Sequence, residues 1–277
     1  MRPEQPRSIP RPPARRGLPL LVIVGAGLAL ALLVLPLVAL VLRAPWDRVV
    51  EIVTGEVVGP ALALSLGTAA LSTLISLLLG VPLAVVLARS HGWPVVPRRL
   101  LRAAITIPLV LPPVVGGIAL LLLLGRSGVL GGVLGELGIG IPYTTGAVVI
   151  AQVFVAMPFL VFAVEGALLS ADRRTELAAA TLGASRAQVF RLVTLPLVGP
   201  GVAAGAVLCF ARALGEFGAT ITFAGSLPGV TRTLPIASYL ALQSDPDAAI
   251  VLALVLLAVA LAVILALRDR WMPGVRA

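Results

Sequence analysis

The sequence predicts an all-α integral membrane protein with six transmembrane helices and with both termini in the cytoplasm. Hydrophobic residues make up 59% of the 277 residues and charged residues only 12%, whereas soluble domains have about 45–50% apolar and about 25% charged residues. Six apolar segments are long enough to cross a bilayer, for which about 20 residues suffice. The arginines concentrate in alternate connecting segments, an asymmetry typical of proteins that cross a membrane repeatedly.

The predicted spans follow one another through most of the chain, so that residues 18–270 form one predicted transmembrane domain. The first span is longer than the apolar core of a secretory signal peptide, about 7–15 residues, which favours a retained helix over a cleaved signal. The last span follows Ser-Asp-Pro-Asp, a helix-start signal. The six spans are 18–42, 60–88, 100–124, 143–169, 195–223 and 248–267.

The orientation follows from the arginines. With the N-terminus in the cytoplasm, sixteen arginines lie in cytoplasmic segments and only four lie in external loops, as the positive-inside rule requires. Residues 1–17 are rich in proline and arginine, which predicts a disordered basic tail, and residues 271–277 form a short cytoplasmic tail. We therefore expect a multi-pass protein of the cytoplasmic (inner) membrane, in contact with lipid.

The composition excludes several kinds of chemistry. All 21 basic residues are arginine, so the chain lacks the lysine that a P-loop ATPase needs for the nucleotide phosphates. One cysteine and one histidine cannot form an internal disulfide or a Cys/His metal cluster. The net charge of +9 reflects arginines at one membrane face, so we expect no nucleic-acid partner. We also expect no metal site and no enzymatic centre, because the spans contain no nucleophile–base pair, no HExxH motif and no cluster of acidic residues.

The longest hydrophilic segment between spans, the loop 171–194, has the pattern of two short helices. Residues 175–182 favour a helix, and Gly183 suits its end. Ser185 and Gln188 then form a capping-box pattern that starts a second helix. Pro196 lies near the start of the fifth span, where its missing N–H does no harm. The loop is either a plain connection on the lipid headgroups or a docking unit for a partner protein.

This loop resembles the cytoplasmic "EAA" loop of the permeases of ABC importers of type I. Two alanines, a glycine, and a Leu-Pro pair that follows a hydrophobic residue stand in the family's register, but Leu177 occupies the position of the family's glutamate, and Glu176 lies one residue earlier. The resemblance implies that the loop docks on a separate ATP-hydrolysing subunit and couples ATP-driven closure to the spans. The coupling residues that it implies are Glu176, Ala178, Ala179, Gly183, Ala184, Ser185, Phe190, Leu195 and Pro196.

Two further segments, 105–125 and 210–243, resemble molybdate and sulfate permeases, the second segment most closely the molybdate permeases. The resemblance implies import of molybdate and tungstate, with sulfate or thiosulfate as the alternative. It also implies a homodimer of permeases, two ATP-binding subunits that hold ATP and magnesium, and an external binding protein that delivers the oxyanion. This chain itself would hold no cofactor.

Prolines interrupt the third predicted span. Pro108, Pro112 and Pro113 remove backbone hydrogen bonds, and Gly116 loosens the same segment. Broken helices at membrane depth often line transport paths, although proline also produces plain packing kinks. Both interpretations stay open for this segment.

Charged residues inside the fifth span are expected to have a structural or functional role, because a charge at membrane depth is costly. Arg212 and Glu216 lie four residues apart, hence on one helix face. They form either an ion pair that fixes packing, within the helix or across the dimer, or a gate at which Arg212 attracts the oxyanion. Thr220 offers a hydroxyl to the outer exit. Gly201 and Gly205 have the spacing of close helix packing.

An ion-coupled secondary transporter is the competing class. It needs intramembrane acids and usually a repeated half. Only Glu165 and Glu216 are available as such acids, and the two halves of the sequence show no clear similarity. Glu165, near the inner end of the fourth span, is expected to snorkel or to pair with a loop.

Overall fold

The structure, a computed structural model, describes residues 19–271, apart from the side chains of residues 173, 264 and 266–271. Every regular element in these residues is a helix, which confirms the predicted all-α class. The predicted tails, 1–17 and 271–277, lie outside the described residues except for Trp271. The helices are α1 (Leu20–Leu42), α2 (Val49–Thr54), α3 (Val58–Arg89), α4 (Val95–Val110), α5 (Pro113–Leu124), α6 (Gly131–Glu136), α7 (Thr145–Ser170), α8 (Arg173–Thr181), α9 (Arg186–Val189), α10 (Leu195–Leu214), α11 (Gly218–Ala224), α12 (Leu234–Ser244) and α13 (Pro246–Trp271).

The described residues contain five helical segments long and apolar enough to cross a membrane, or six if the bent pair α4–α5 counts as one span. This agrees with the six spans that the sequence predicts. The five unbroken candidates are Leu20–Leu42, Val58–Gly92, Thr145–Ser170, Arg186–Leu214 and Pro246–Val263.

The chain divides into two units, Met1–Arg43 and Ala44–Ala277. In the first unit, α1 is a helix of 23 residues with Pro36 inside it, and none of its side chains is buried. The second unit contains the other helices and the buried core.

Helices α3, α7 and α10 form the centre of the second unit. A row of small buried residues on α3, among them Ser72 and Gly80, lets the helices approach closely. A Cβ on Gly80 would lie only 3.1 Å from the side chain of Leu160 on α7, and Ser72 donates a hydrogen bond to Gln152 Oε1 of α7 at 2.9 Å. Small residues and interhelical hydrogen bonds hold membrane helices together where lipid removes most of the hydrophobic driving force.

The predicted packing role of Gly201 and Gly205 is confirmed, and their partner is α7. A Cβ on Gly201 would lie 2.3 Å from the Cβ of Ala167, well inside van der Waals contact. A Cβ on Gly205 would lie 3.0 Å from the side chain of Leu160. The backbone of α10 thus lies directly against α7, and Gly201 leaves no room for a side chain, whereas Gly205 makes a tight contact.

Two of the predicted spans are not continuous helices. The third span breaks at residues 111–112, where α4 ends, and α5 continues after a bend of 115°; two successive prolines there remove backbone donors and disfavour a helical residue before each. The fifth span, predicted as 195–223, ends as a helix at Leu214, and α11 follows after residues 215–217. Its other end extends further than predicted, because a π-helical turn, Phe190–Thr194, joins α9 to α10.

Helices α2, α6 and α12 lie between the predicted spans, in segments for which the sequence suggested no helix. α12 is the most buried of them, and its Leu234, Ile236 and Ala237 belong to the core. The backbone N–H of Leu234 donates to Ser65 Oγ of α3 at 2.7 Å. Pro235 at the start of α12 is the sequence signal that marks this helix.

Candidate functional site

The loop 171–194 folds as two short helices joined by a glycine turn, as the sequence predicts. Asp172 caps α8 by accepting from the backbone N–H of Arg174 at 2.9 Å. Gly183 has φ +87°, a left-handed conformation that strongly favours glycine. The capping box of Ser185 and Gln188 is present with both of its hydrogen bonds. The two helices and the turn thus form where the local signals of the sequence predict them.

The neighbouring residues Glu176 and Leu177 of α8 face in different directions. Glu176 is partly buried, and its Oε1 accepts a hydrogen bond from Thr194 Oγ1 at 2.5 Å. Nη2 of Arg89, at the end of α3, lies 3.9 Å from the same oxygen. Leu177, which stands at the position of the glutamate in the resembling loops, is 65% exposed, and Leu182 is 88% exposed. Leu177 and Leu182 thus add exposed apolar groups to the free surface of the hairpin, whereas its glutamate contacts this chain.

The other predicted loop residues divide by exposure. Ala178, Gly183, Ser185, Leu195 and Pro196 are exposed, and the remaining three, Ala179, Ala184 and Phe190, are half-buried. A cavity of about 570 Å³ lies between the hairpin and the ends of α3 and α7. Its charged lining residues are Arg89, Asp172, Glu176 and Arg186.

The breaks in the third and fifth spans lie against each other. A Cβ on Gly218, the first residue of α11, would lie 2.9 Å from Pro113 Cβ, and a Cβ on Gly117 would lie 2.7 Å from the backbone oxygen of Ala219. Gly116 is buried beside the ring of Phe154. The short helices α5 and α11 therefore pack backbone to backbone, which depends on glycine on both sides.

The predicted proline positions of the third span differ in exposure. Pro108 lies inside α4 and is half-buried. Pro112 and Pro113, at the bend, are exposed. The sequence located the interruption correctly, and the structure adds that the bend itself faces outward from this chain.

Arg212 and Glu216 form an ion pair within one chain, with Nη1 and Oε2 2.7 Å apart. Arg212 lies in the last turn of α10, and Glu216 follows the end of that helix. The Glu216 side chain is 1% exposed, and its Oε1 accepts from the backbone N–H of Ala219 at 2.9 Å. The carboxylate thus pairs with α10 and also satisfies a backbone donor at the start of α11, so it holds the two pieces of the broken span together.

Thr220 occupies a different environment from the one predicted. Its side chain is fully buried in the second unit, against the core that Ala219 and Phe223 belong to. The hydroxyl therefore faces the interior of this chain.

Glu165 is buried and paired. Its carboxylate accepts from both guanidinium N–H₂ groups of Arg102, at 3.1 and 3.3 Å. The Arg102 guanidinium also lies 5.7 Å from the ring centroid of Phe162, within cation–π range. The pair joins α7 to α4, the helix that precedes the bend. The sequence had predicted a carboxylate that snorkels or pairs with a loop.

The sequence model of a family described as binding-protein-dependent transport system inner membrane component matches residues 80–274. The chain belongs to this family. The matched range includes both broken spans, the Arg212–Glu216 ion pair and the loop 171–194. The predicted family and the inner-membrane location are confirmed, and the family's role is transport rather than enzymatic catalysis.

Several curated relatives are similar over most of their length. The permease is 54% identical over 236 residues, 85% of this chain and 88% of the relative, to the molybdenum transport system permease protein ModB of Mycobacterium tuberculosis. It is 42% identical over 213 residues, 76% and 92% of the two chains, to the ModB of Escherichia coli. Identity to the sulfate transport system permease protein CysT of Salmonella typhimurium is 36% over 234 residues, 83% of each chain.

Solved structures agree in fold. A crystal structure of a bacterial alginate ABC transporter aligns with a TM-score of 0.73 at 20% identity, covering 92% of this permease and 96% of that chain. The MetNI methionine ABC transporter aligns with a TM-score of 0.59 at 19% identity, covering 74% and 90%. At these identities the likeness supports the ABC-importer permease fold alone.

Sequence reasoning missed three residues of the candidate site: Thr194, Arg102 and Arg89. Each contacts an acidic residue that the sequence did single out, across 18, 63 and 87 positions of the chain respectively. The sequence signal that could have pointed to these partners is the acidic residue itself, because a buried carboxylate requires a hydrogen-bond donor or a counter-charge.

Proposed function

We propose that this chain is the membrane subunit of an ATP-driven importer of molybdate, and of tungstate, a tetrahedral dianion of the same charge. The observation that supports the substrate is the identity of 54% with mycobacterial molybdenum permeases over 85% of the chain. Identity with the sulfate permease is 36%, which makes a sulfate or thiosulfate importer the second candidate.

The loop 171–194 is the proposed docking site for a separate ATPase. It projects an exposed helical hairpin whose second helix continues without a gap into α10, so that residues 186–214 form one helical run of 29 residues. At a rise of about 1.5 Å per residue this run is about 43 Å long. A displacement of the hairpin therefore moves a long helical segment whose other end carries Arg212 and the break against α5.

The energy source lies in the proposed partner. The chain contains no lysine, and a P-loop requires one on the nucleotide phosphates. Two ATP-binding subunits, each with ATP and magnesium, would dock on the loops of two copies of this permease. The substrate path would then run between the two copies, with the exposed bend at Pro112 and Pro113 beside it, and an external binding protein would deliver the oxyanion.

The deciding experiment measures uptake of labelled molybdate by cells with and without the gene, with its partner subunits present. Gene-dependent uptake that excess tungstate blocks and excess sulfate leaves intact is the expected result. Equal competition by sulfate would assign the chain to sulfate import. Uptake that persists after ATP depletion but stops when ion gradients collapse would refute the ATP-driven mechanism and favour a secondary transporter.

A further inference from the structure

Glu176 is the acidic residue within α8, and its carboxylate is directed inward. The Glu176 side chain is 29% exposed, whereas the next residue, Leu177, is 65% exposed. Oε1 accepts from Thr194 Oγ1 at 2.5 Å, a contact that bridges 18 positions of the chain. A hydrogen bond to a charged acceptor is shorter and stronger than one between neutral groups.

Thr194 lies where the regular helical hydrogen bonding between α9 and α10 is interrupted. It is the last residue of the π-helical turn Phe190–Thr194 and is 1% exposed. A π turn replaces the regular helical hydrogen bonds with wider ones, and such turns are frequent at functional sites in helices. Its hydroxyl also has a longer hydrogen bond, to the carbonyl of Val189 at 3.4 Å. The short bond to Glu176 therefore fixes the joint between α9 and α10.

A second contact links the same carboxylate to α3. Nη2 of Arg89 lies 3.9 Å from Oε1, but the arginine side chain is 56% exposed, and ion pairs at such exposure contribute little. The bond to the buried Thr194 hydroxyl is thus the stronger of the two contacts, and its geometry requires an acceptor oxygen, which a neutral amide also supplies.

We infer that Glu176 is a positioning residue: through Thr194 it locks α8 to the start of α10, so that a movement of the docked hairpin reaches the span as one rigid displacement. The glutamate then acts inside this chain and makes no ion pair with the ATPase. This inference rests on the proposed function, because it requires an ATPase docked on the loop.

The two possible roles of Glu176 require different chemistry. An internal acceptor for Thr194 is preserved in Glu176→Gln, whose amide oxygen still accepts, and is lost in Glu176→Ala. A direct ion pair with a basic ATPase residue is lost in both. Thr194→Val removes the hydroxyl at nearly constant volume, Thr194→Ser keeps it, and neither variant changes the charge of the hairpin.

The experiment uses the complete transporter, with ATPase and binding protein, reconstituted in liposomes, and measures molybdate uptake per ATP hydrolysed. We expect Glu176→Ala and Thr194→Val each to lower this ratio about five- to tenfold, the order of one hydrogen bond to a charged acceptor discounted for partial exposure. We expect the double variant to be no worse than either single one, and Glu176→Gln and Thr194→Ser to restore coupling. Thr68→Val is the matched control, because Thr68 is also a buried helical threonine but its hydroxyl donates to two carbonyls of its own helix, those of Leu64 and Ser65.

Two results would overturn the inference: normal coupling in Thr194→Val, or uncoupling in Glu176→Gln equal to that in Glu176→Ala. Should Thr194→Val fail to assemble, the pair Glu176→Ala and Glu176→Gln decides alone. Hydrogen exchange of the α8 amides, measured in the assembled transporter without substrate, separates this inference from the proposed function. Faster exchange in Glu176→Ala but not in Glu176→Gln is expected whatever the substrate, and unchanged exchange in Glu176→Ala would contradict the lock even if molybdate uptake is confirmed.

Discussion

Replacing Arg212 by alanine tests whether the charges of the fifth span are structural. The substitution leaves the Glu216 carboxylate, 1% exposed, with the backbone N–H of Ala219 as its one hydrogen-bond donor among the described residues. Breaking a buried ion pair from one side costs about 3–5 kcal/mol. Because the Arg212 side chain is itself 28% exposed, water can enter the vacated space, and we expect the lower end, about 3 kcal/mol.

The assay compares the thermal unfolding of purified Arg212→Ala with that of Arg212→Ala/Glu216→Gln. The neutral amide of the double variant can still accept from Ala219 and needs no counter-charge. We therefore expect the single variant to unfold roughly 5–10 °C below the wild type and the double variant to recover more than half of this difference. Competition of molybdate uptake by sulfate should remain as in the wild type in every variant that assembles.

The contrary result is specific. A stable, well-assembled Arg212→Ala whose uptake is competed differently by sulfate would show that the guanidinium meets the oxyanion. A double variant no more stable than the single one would show that the buried charge of Glu216 is not the source of the loss.

Three further predictions follow from the geometry. Gly183→Val forces a β-branched residue to φ +87°, a strain of about 1–2 kcal/mol or more; we expect an inserted permease that no longer couples ATP hydrolysis to uptake, and normal uptake would refute the role of the loop. Gly201→Leu places a side chain where even a Cβ would lie 2.3 Å from the Cβ of Ala167 on α7, and it should abolish assembly in detergent. Gly199→Ala, whose Cβ would meet nothing within 4 Å, should not, and equal yields of the two variants would exclude close packing at Gly201. The pKa of the Asp245 carboxyl is lowered by the backbone N–H of Ala248 and by Arg48. Its contribution to stability is therefore complete above the ordinary pKa of about 4 and is lost as the pH falls towards the lowered pKa. Asp245→Asn should reduce the fall of the unfolding temperature at acid pH, and an unchanged fall would contradict the contact.

Local signals of the sequence predicted the elements that depend on local chemistry. Hydropathy identified the spans, and the capping pattern of Ser185 and Gln188 identified the start of α9. Pro112 and Pro113 identified the bend between α4 and α5. In each case the determinant lies within a few residues of the element that it shapes.

The features that the sequence did not predict depend on distant contacts or on competition between neighbours. The break after Leu214 contains no proline, and hydropathy merges α10 with α11 because both are apolar. The pairing of Glu165 with Arg102 joins two helices 63 positions apart, which no periodicity within one segment can reveal. The π turn before Pro196 arises because the proline ring clashes with the carbonyl four residues before it, and sequence alone does not say whether the helix stops or widens.

The geometry of the fifth span also limits which part of the proposed transporter can select between oxyanions. Arg212 and Glu216 neutralise each other at 2.7 Å, so the break carries an arginine but no net charge that would hold a dianion. A fully desolvated, unpaired arginine would bind an oxyanion too tightly for passage, since conduction requires sites weak enough to be left. The buried Glu216 carboxylate thus allows Arg212 to remain at membrane depth without forming a tight anion-binding site on the proposed path. The pair joins α10 to α11. Under the proposed function, discrimination between molybdate and sulfate then belongs to the binding protein, and exchanging that protein between two such transporters should transfer the substrate preference while this permease stays the same.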